Sequence, residues 1–256
     1  MSATITVFDS GSAAYERAFA TFLAHTDQKV QARRWLDEFV ATLPNRKLLV
    51  DAGAGAGDAV SSIIAGFERS LLIEPNPFLR PLLAERCPQG EIRPHGILEA
   101  DVPPASADFV LCSHVLYYIP QRDWLAHVRR MIEWLSPTGV LAVILQNPGT
   151  DCMRMVLQFH GKSFDLHELA GRLEAETDAG CRISLTAIDS RIETDEFATA
   201  CAIAEFMLNL LPLSNPPLRS ALETWVREHF AVPEGRWRMS CTQDVLLVRR
   251  ADANVE

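Results

Sequence analysis

The sequence predicts an α/β protein with a doubly wound, mostly parallel sheet. Three observations support this: short apolar runs alternate with segments of helical periodicity over residues 46–147, the runs are apolar almost throughout, and a glycine-rich turn follows the first run. Continuous apolar runs are typical of parallel strands that helices cover on both faces.

The first predicted element is a helix over residues 12–43, because Tyr15, Phe19 and Phe22 begin an apolar series at spacings of three and four. Apolar runs predict the next strands, at 47–51, 71–74, 91–94, 108–112 and 139–145. Helical periodicity between these runs predicts helices at 58–67, 77–86 and 122–135. Beyond Asn147 the pattern changes and predicts a strand at 182–192, helices at 196–211 and 216–230, and a final strand at 236–250.

Length and composition favour one globular domain. The chain has 256 residues, of which 48% are hydrophobic and 22% are charged, and single cores stop growing at about 250–300 residues. Lys and Arg total 24 against 33 Asp and Glu, so the net charge is −9. An acidic chain without a basic run lacks the charge pattern of a nucleic-acid or anionic-membrane binder. A neutral or cationic small molecule is therefore the expected partner, and we expect a monomer or a weak homodimer.

The sequence of residues 1–10 and the spacing of the cysteines bear on cellular location and on metal binding. Residues 1–10 lack the basic and apolar regions of a secretory signal, and no apolar stretch approaches the ~18 residues of a spanning helix. We therefore expect a cytoplasmic protein without membrane contact. The six cysteines form no C-x-x-C pair and the histidines have no metal-ligand spacing, so we expect reduced thiols and no metal.

Glycine occupies alternate positions in the turn after the first strand, which reads Asp51-Ala52-Gly53-Ala54-Gly55-Ala56-Gly57-Asp58. Glycine admits positive φ and close backbone approach, so a cofactor can lie against this turn. The dinucleotide pattern G-x-G-x-x-G would need glycine at position 58 or 60, where the chain has Asp58 and Val60, which disfavours a nicotinamide or flavin site.

The pattern D-x-G-x-G-x-G instead resembles the first motif of class I methyltransferases, which use S-adenosylmethionine. The resemblance implies a Rossmann-like, seven-stranded sheet and a cofactor site at Asp51, Gly53, Gly55 and Gly57. The structural alternative is a tight turn that holds no ligand. Glu74 ends the second predicted strand 23 residues after Asp51, where a carboxylate can accept hydrogen bonds from both ribose hydroxyls, although a solvated strand-end carboxylate is the plain alternative.

Several segments further resemble the histamine N-methyltransferase family. The run Ser113-His114-Val115-Leu116-Tyr117-Tyr118-Ile119-Pro120 is similar to that family's L-Y-Y segment, and Tyr15-x-x-x-Phe19-x-x-Phe22-Leu23-x-His25 is similar to its opening helix. Residues 210–230 and 240–248 also resemble their counterparts. The similarity covers most of the chain at low identity and is weaker in the substrate half.

This resemblance implies a distribution of roles over the remaining candidate residues. For the cofactor it adds an adenine contact at Ile97 and Leu98 and a methionine contact at Ser113. For the substrate it implies contacts from Tyr15, Phe19, Gln28, Tyr117 and Cys241. Asp27 falls near the family's acidic substrate residue, and His114 stands where the family has glutamine. Cys241 falls near the family's asparagine. Because the polar contacts at Asp27, His114 and Cys241 differ from those of the family, the substrate need not be histamine. His114 and the tyrosines have an alternative as ordinary core residues.

The expected function is a small-molecule N-methyltransferase that uses S-adenosyl-L-methionine and acts on a nitrogen heterocycle or amine, plausibly in bacterial secondary metabolism. Alignment of the substrate with the methyl group and exclusion of water are its main tasks. Asp27 or His114 would orient the nitrogen or take its proton. The alternatives are a small-molecule O-methyltransferase and a catalytically idle cofactor-binding protein.

We expect one methyltransferase domain over residues 1–256. Within it, residues 12–43 would form a helical lid, 46–147 the cofactor-binding core, and 148–256 the substrate cover helices with the final strands. The lid and the cover would lie over the carboxyl ends of the strands, where ligands bind in open α/β sheets.

Overall fold

The structure is a computed structural model that describes residues 3–9, 12–176 and 180–250, apart from the side chain of Glu234. Two predictions fall partly outside the described residues. They concern residues 1, 2 and 10 of the start, where no secretory signal is expected, and residues 251–256 of the expected domain. The helices are α1 Ala13–His25, α2 Gln28–Ala41, α3 Arg80–Arg86, α4 Trp124–Trp134, α5 Asp151–His160, α6 Leu166–Glu176, α7 Phe197–Leu208 and α8 Arg219–His229. The strands are β1 Leu48–Ala52, β2 Arg69–Ile73, β3 Glu91–Arg93, β4 Ala107–Ser113, β5 Leu135–Gln146, β6 Cys181–Ile188, β7 Arg191–Thr194, β8 Ala231–Val232, β9 Arg236–Ser240 and β10 Gln243–Arg250.

The main sheet of the described chain has seven strands in the order β3-β2-β1-β4-β5-β10-β6. The pairs β1–β2, β1–β4, β2–β3 and β4–β5 are all parallel, as the apolar runs predict. From β1 the chain proceeds outward to β2 and β3 on one side and then to β4 and β5 on the other. The predicted Rossmann-like, mostly parallel seven-stranded sheet is confirmed, and its topological switch point lies between β1 and β4.

The chain divides into two compact units. Of the described residues, the larger unit comprises 32–145, 165–176, 180–188 and 244–250 and contains almost all of the seven-stranded sheet. Leu36 and Val40 of α2 join a buried cluster with sheet residues such as Leu49, Phe109 and Ile144. Burial of such side chains is worth about 1.5–3 kcal/mol each, so this cluster contributes substantially to the stability of the larger unit.

Of the described residues, the smaller unit comprises 3–9, 12–31, 146–164 and 189–243. Within it, β7, β9 and β8 form a three-stranded antiparallel sheet that the sequence patterns do not predict. Helix α1 packs on α7, where Phe206 is fully buried against the rings of Tyr15, Phe19 and Phe22. Glu205 of the same helix is 6% exposed and pairs with the Arg219 guanidinium at 2.9 and 3.0 Å.

Two predicted helices differ in the structure. The helix expected over 12–43 is two helices, because Thr26 adopts an extended conformation and pairs with Ile192 as an isolated β-bridge. The segment 58–67 forms two short 3₁₀ turns, at Val60–Ser62 and Ile64–Gly66, instead of an α-helix. Its apolar periodicity is real, since Val60, Ile63 and Ile64 are buried, but β-branched residues and serines have modest helix propensity.

Two predicted strands are each divided between the two sheets. The strand expected over 182–192 breaks at Asp189-Ser190, and the strand expected over 236–250 breaks at Cys241-Thr242. The two breaks lie side by side, because Cys241 N donates to Ser190 O at 2.9 Å and Ser190 Oγ donates to Cys241 O at 2.8 Å. Helices α5 and α6 fall in a stretch for which no element was predicted. The single-domain boundaries and the placement of a lid and a cover stay predictions.

Candidate active site

The glycine turn leaves β1 at the switch point of the main sheet. Gly53, Gly55 and Gly57 have φ of 90°, 57° and 84°, a region that residues with a Cβ atom adopt at a cost of about 1–2 kcal/mol. The amides of Gly53 and Ala54 both donate to Ile73 O at 2.9 Å, which ties the turn to the end of β2. The alternate glycines are therefore required by the backbone conformation of the turn.

The room for a side chain differs among the three glycines of the turn. A Cβ atom on Gly53 would lie 2.4 Å from Val115 Cγ2, and one on Gly57 would lie 2.9 Å from Cys87 Sγ. A Cβ atom on Gly55 would meet nothing within 4 Å. The turn is thus packed on both sides of Gly55 and open at Gly55 itself, where another molecule can approach the backbone.

Glu74 follows β2 and is 5% exposed. Its carboxylate accepts hydrogen bonds from Gly55 N at 2.8 Å and from Asn76 N at 2.7 Å. An ionised carboxylate offers about four acceptor positions, so it keeps capacity for the ribose hydroxyls that the sequence motif predicts. Glu74 also holds the glycine turn, a role that the sequence spacing does not reveal.

Asp51 is a second buried carboxyl group, 2% exposed within β1. Burial, reinforced by the charge of Glu74, raises the pKa of Asp51 to about 7. Its Oδ2 atom has no hydrogen-bond partner among the described residues. Because a buried polar atom without a partner costs about 1–3 kcal/mol, this oxygen fits a donor or cation supplied by a ligand.

The residues expected at the adenine ring differ in exposure. Ile97 is 5% exposed and Leu98 is 44% exposed, in the turn where Glu99 N donates to Gly96 O at 3.2 Å. Leu98 therefore offers an accessible apolar surface and Ile97 supports it from the interior. The buried acid Asp51, the open Gly55 and the carboxylate of Glu74 suit the charges and hydroxyls of S-adenosylmethionine, so these residues fit the cofactor that the motif predicts.

The end of β4 carries the residues expected at the methyl donor and at the substrate. Ser113 is half-buried, and His114 follows it with φ of 59°, an uncommon conformation for a residue other than glycine. His114 N donates to Ile144 O at 2.9 Å, and the imidazole stacks on Tyr117 with ring centroids 5.8 Å apart. The sequence did not indicate that Trp124 Nε1 secures this loop by donating to Leu116 O and Ile119 O, both at 2.9 Å.

The opening-helix candidates Tyr15 and Phe19 are half-buried in the smaller unit. Their rings pack on Phe206, and Lys29 Nζ lies 4.8 Å from the Phe19 ring centroid. Burial raises the pKa of Tyr15. Aromatic ring faces attract ammonium groups, and Lys29 already supplies one at Phe19.

Asp27, Gln28 and Cys241 form one hydrogen-bonded cluster with Ser190 and Arg191. Arg191 N donates to Asp27 Oδ1 at 2.7 Å, and Gln28 Nε2 donates to Cys241 O at 3.2 Å. Cys241 is 0% exposed, and its Sγ lies 3.4 Å from Ser190 Oγ. Direct substrate contact by the Cys241 thiol, expected from the resemblance, therefore does not agree with its burial, and Asp27 has a structural partner in addition to any ligand.

A groove of about 530 Å³ in the smaller unit involves none of the predicted catalytic or binding residues. The lining residues are His25, Glu193, Thr194, Asp195, Glu196, Thr199, Val232, Arg236, Trp237 and Arg238. Glu193 already forms ion pairs with Arg191 and Arg238, so part of the charge in this groove is neutralised.

The described residues contain no group of three His, Cys, Asp or Glu side chains arranged to hold a metal ion. None of their helices combines the length and the apolar character needed to cross a lipid bilayer.

Comparison with known proteins agrees with this arrangement. A family model described as a methyltransferase domain matches residues 23–191. A search of the curated proteins finds no significant match.

Three solved structures share the fold. They are the YcgJ protein of Bacillus subtilis (13% identity, TM-score 0.59, 83% of this chain and 96% of that chain), a protein from Bacillus halodurans C-125 (12%, TM-score 0.60, 84% and 96%), and a SAM-dependent methyltransferase from Archaeoglobus fulgidus (13%, TM-score 0.53, 87% and 94%). With the match over residues 23–191, the chain belongs to the methyltransferase-domain family.

Proposed function

We propose that this methyltransferase transfers the methyl group of S-adenosylmethionine to a nitrogen atom of a small heterocycle or amine. The observation that carries the proposal is the stacked pair of His114 and Tyr117 directly after β4, at the switch point of the sheet. This pair offers a flat aromatic surface and a ring nitrogen that can orient or deprotonate a nucleophile.

The assignment of the cofactor residues is part of the proposal. The turn at Gly53, Gly55 and Gly57 lets the cofactor approach the backbone. Glu74 holds Gly55 and accepts hydrogen bonds from the ribose hydroxyls. Asp51 faces the positive charge of the cofactor. Leu98, supported by Ile97, packs on the adenine, and Ser113 contacts the methionine part. When bound, S-adenosylmethionine supplies a methyl group on a positively charged sulfur, so the protein needs no nucleophilic side chain.

His114 has the main catalytic role in this proposal. Its left-handed backbone and the bond from its amide to Ile144 O determine where the imidazole lies. The imidazole then aligns the substrate nitrogen and accepts the proton that the nitrogen loses. In the smaller unit, substrate contacts at Tyr15, Phe19, Asp27 and Gln28 stay predictions, and Cys241 holds Gln28 through its carbonyl group.

The test is incubation with methyl-labelled S-adenosylmethionine and a panel of imidazoles, pyridines, alkylamines and phenols, with mass spectrometry and NMR of the products. We expect label on nitrogen. Label on the phenol oxygen alone would replace this function by O-methylation, and cofactor binding without turnover on the panel or on a cell extract would indicate an idle binding protein.

Matched variants test the role of the loop. Tyr117→Ala removes the ring stacked on His114, whereas Tyr118 is 67% exposed and serves as the control. We expect a tenfold or larger loss of kcat/KM for Tyr117→Ala, which is about 1.4 kcal/mol, and less than twofold for Tyr118→Ala. Equal effects of the two variants would contradict the assignment of Tyr117 to the substrate site.

A further inference from the structure

We propose that Asp51 makes cofactor binding proton-linked and selective for charge: the cofactor-free protein holds a proton on this carboxyl group, and binding of S-adenosylmethionine releases it. The acid O–H bond breaks, the electron pair stays on Asp51, and the proton passes to solvent. The same carboxylate would favour S-adenosylmethionine over its product, S-adenosylhomocysteine. The inference rests on the cofactor site proposed above and is independent of the identity of the substrate.

The geometry places two carboxyl groups in one desolvated region. Asp51 is 2% exposed and Glu74 is 5% exposed. The carboxylate of Glu74 accepts hydrogen bonds from the amides of Gly55 and Asn76 at 2.8 and 2.7 Å. Asp51 Oδ2, in contrast, has no partner in the described part of the chain. Both oxygens of Glu74 therefore have a hydrogen-bond donor, whereas one oxygen of Asp51 has none among the described residues.

The groups that face Asp51 do not compensate its charge. On its own sheet, Asp51 lies beside Leu72 of β2 and Leu111 of β4. The titratable groups in electrostatic contact with it are Glu74 and the thiols of Cys112 and Cys87, whose pKa values burial raises. Within the described residues, the charge that acts on Asp51 is thus negative. Neutralisation has to come from a proton or from a cationic ligand.

The methyl donor and the spent product differ in the charge that they can place near Asp51. S-adenosylmethionine carries a sulfonium, an ammonium and a carboxylate group, whereas S-adenosylhomocysteine has an uncharged sulfur in place of the sulfonium. A buried anion is attracted to a nearby cation far more strongly than an exposed one. Ionised Asp51 consequently contributes more to binding the methyl donor than to binding the spent product, which assists product release.

The test is titration calorimetry of the full-length protein with each ligand at pH 7, in buffers of different ionisation enthalpy. Since the pKa of Asp51 is about 7, we expect release of about half a proton with S-adenosylmethionine and less with S-adenosylhomocysteine. The α-amino groups of the two free ligands are titrated separately, and their contributions to proton release are subtracted. Between pH 6 and 8, the affinity ratio of donor to product should rise about tenfold.

Asp51→Asn should abolish both the difference in proton release and the pH dependence of the affinity ratio. The matched control is Asp108→Asn, since Asp108 is 6% exposed on β4 but satisfied by Lys47 N and Ser136 Oγ at 2.7 and 2.9 Å. Equal proton release for the two ligands in the wild-type protein would overturn the inference without any variant. Absence of S-adenosylmethionine binding would overturn the proposed site as well.

Discussion

At Gly53, backbone conformation and available space both exclude a side chain. Its φ is 90°, and a Cβ atom would lie 2.4 Å from Val115 Cγ2, on a β-branched side chain with little rotational freedom. Gly53→Ala should therefore lower the free energy of unfolding by at least about 1–2 kcal/mol and weaken cofactor binding. Urea unfolding and calorimetric titration measure the two effects.

Gly66 supplies the control for this substitution. A Cβ atom there meets nothing within 4 Å and its φ is not positive, so Gly66→Ala should be neutral or stabilising by about 0.4–1 kcal/mol. If Gly53→Ala behaved like Gly66→Ala, the turn would be more adaptable than the structure indicates.

His114 is a second position where the backbone is constrained, with φ of 59°. Glycine adopts this conformation without a Cβ penalty, so His114→Gly should be about 1 kcal/mol more stable than His114→Ala. Both variants should lose turnover if the imidazole acts on the substrate. Denaturation midpoints and steady-state kinetics separate the two effects, and full activity in either variant would return His114 to a purely structural role.

The buried Asp51 also predicts a pH dependence of stability. Its pKa is about 7 in the folded protein and about 3.9 in an unfolded chain. Between these values the folded state binds more protons than the unfolded state, so the free energy of unfolding decreases as pH rises from about 4 to about 7, by an amount on the order of 3–4 kcal/mol.

The comparison with Asp51→Asn isolates this contribution. Asp151 acts in the opposite direction: burial raises its pKa, but hydrogen bonds from Ser240 and Arg154 together outweigh burial and lower the pKa. Urea unfolding of wild type and Asp51→Asn without cofactor, from pH 4.5 to 7.5, should show a gap that widens in favour of the variant. A constant gap would mean that Asp51 ionises at its usual pH.

At the scale of elements, the junction of α1 and α2 is joined to β7 through Asp27. Arg191 N donates to Asp27 Oδ1 at 2.7 Å. Asp27→Ala should cost about 0.5–1.5 kcal/mol of stability, whereas Asp27→Asn keeps an acceptor oxygen and should stay close to wild type. Urea unfolding and hydrogen exchange over residues 188–194 measure this difference.

The same two variants test the substrate role of Asp27. If its negative charge holds an amine, Asp27→Asn should raise KM or lower kcat while the protein stays stable and binds the cofactor normally. Wild-type kinetics for Asp27→Asn would leave Asp27 with only its role at the junction.

At the scale of the whole molecule, α1 is an integral part of the smaller unit. Removal of residues 1–28 would delete Phe22, which is 4% exposed, and uncover Phe206. If residues 12–43 formed only a lid, as the sequence predicts, such a truncation would leave a folded protein. The packing of α1 on α7 instead predicts that the smaller unit loses its structure, as followed by hydrogen exchange.

Point substitutions test this packing more directly. Phe22→Ala should lower the free energy of unfolding by about 3–5 kcal/mol. Leu23, which is 36% exposed, provides the control, and Leu23→Ala should cost about 1 kcal/mol or less. Similar costs for the two variants would show that α1 does not contribute its aromatic face to the core of this unit.

The sequence by itself determined the alternation of elements, the parallel core and the glycine turn, because these depend on local periodicity and on the φ values that only certain residues tolerate. Residues close in sequence also sufficed to identify Asp51, Gly55 and Glu74 as candidates. Tertiary structure alone decided how the segments 182–192 and 236–250 divide between two sheets, since the bonds at Ser190 and Cys241 join residues 51 positions apart. It likewise decided that Glu74 supports Gly55 while Asp51 lacks a partner, because burial and hydrogen bonding arise only when distant strands pack together.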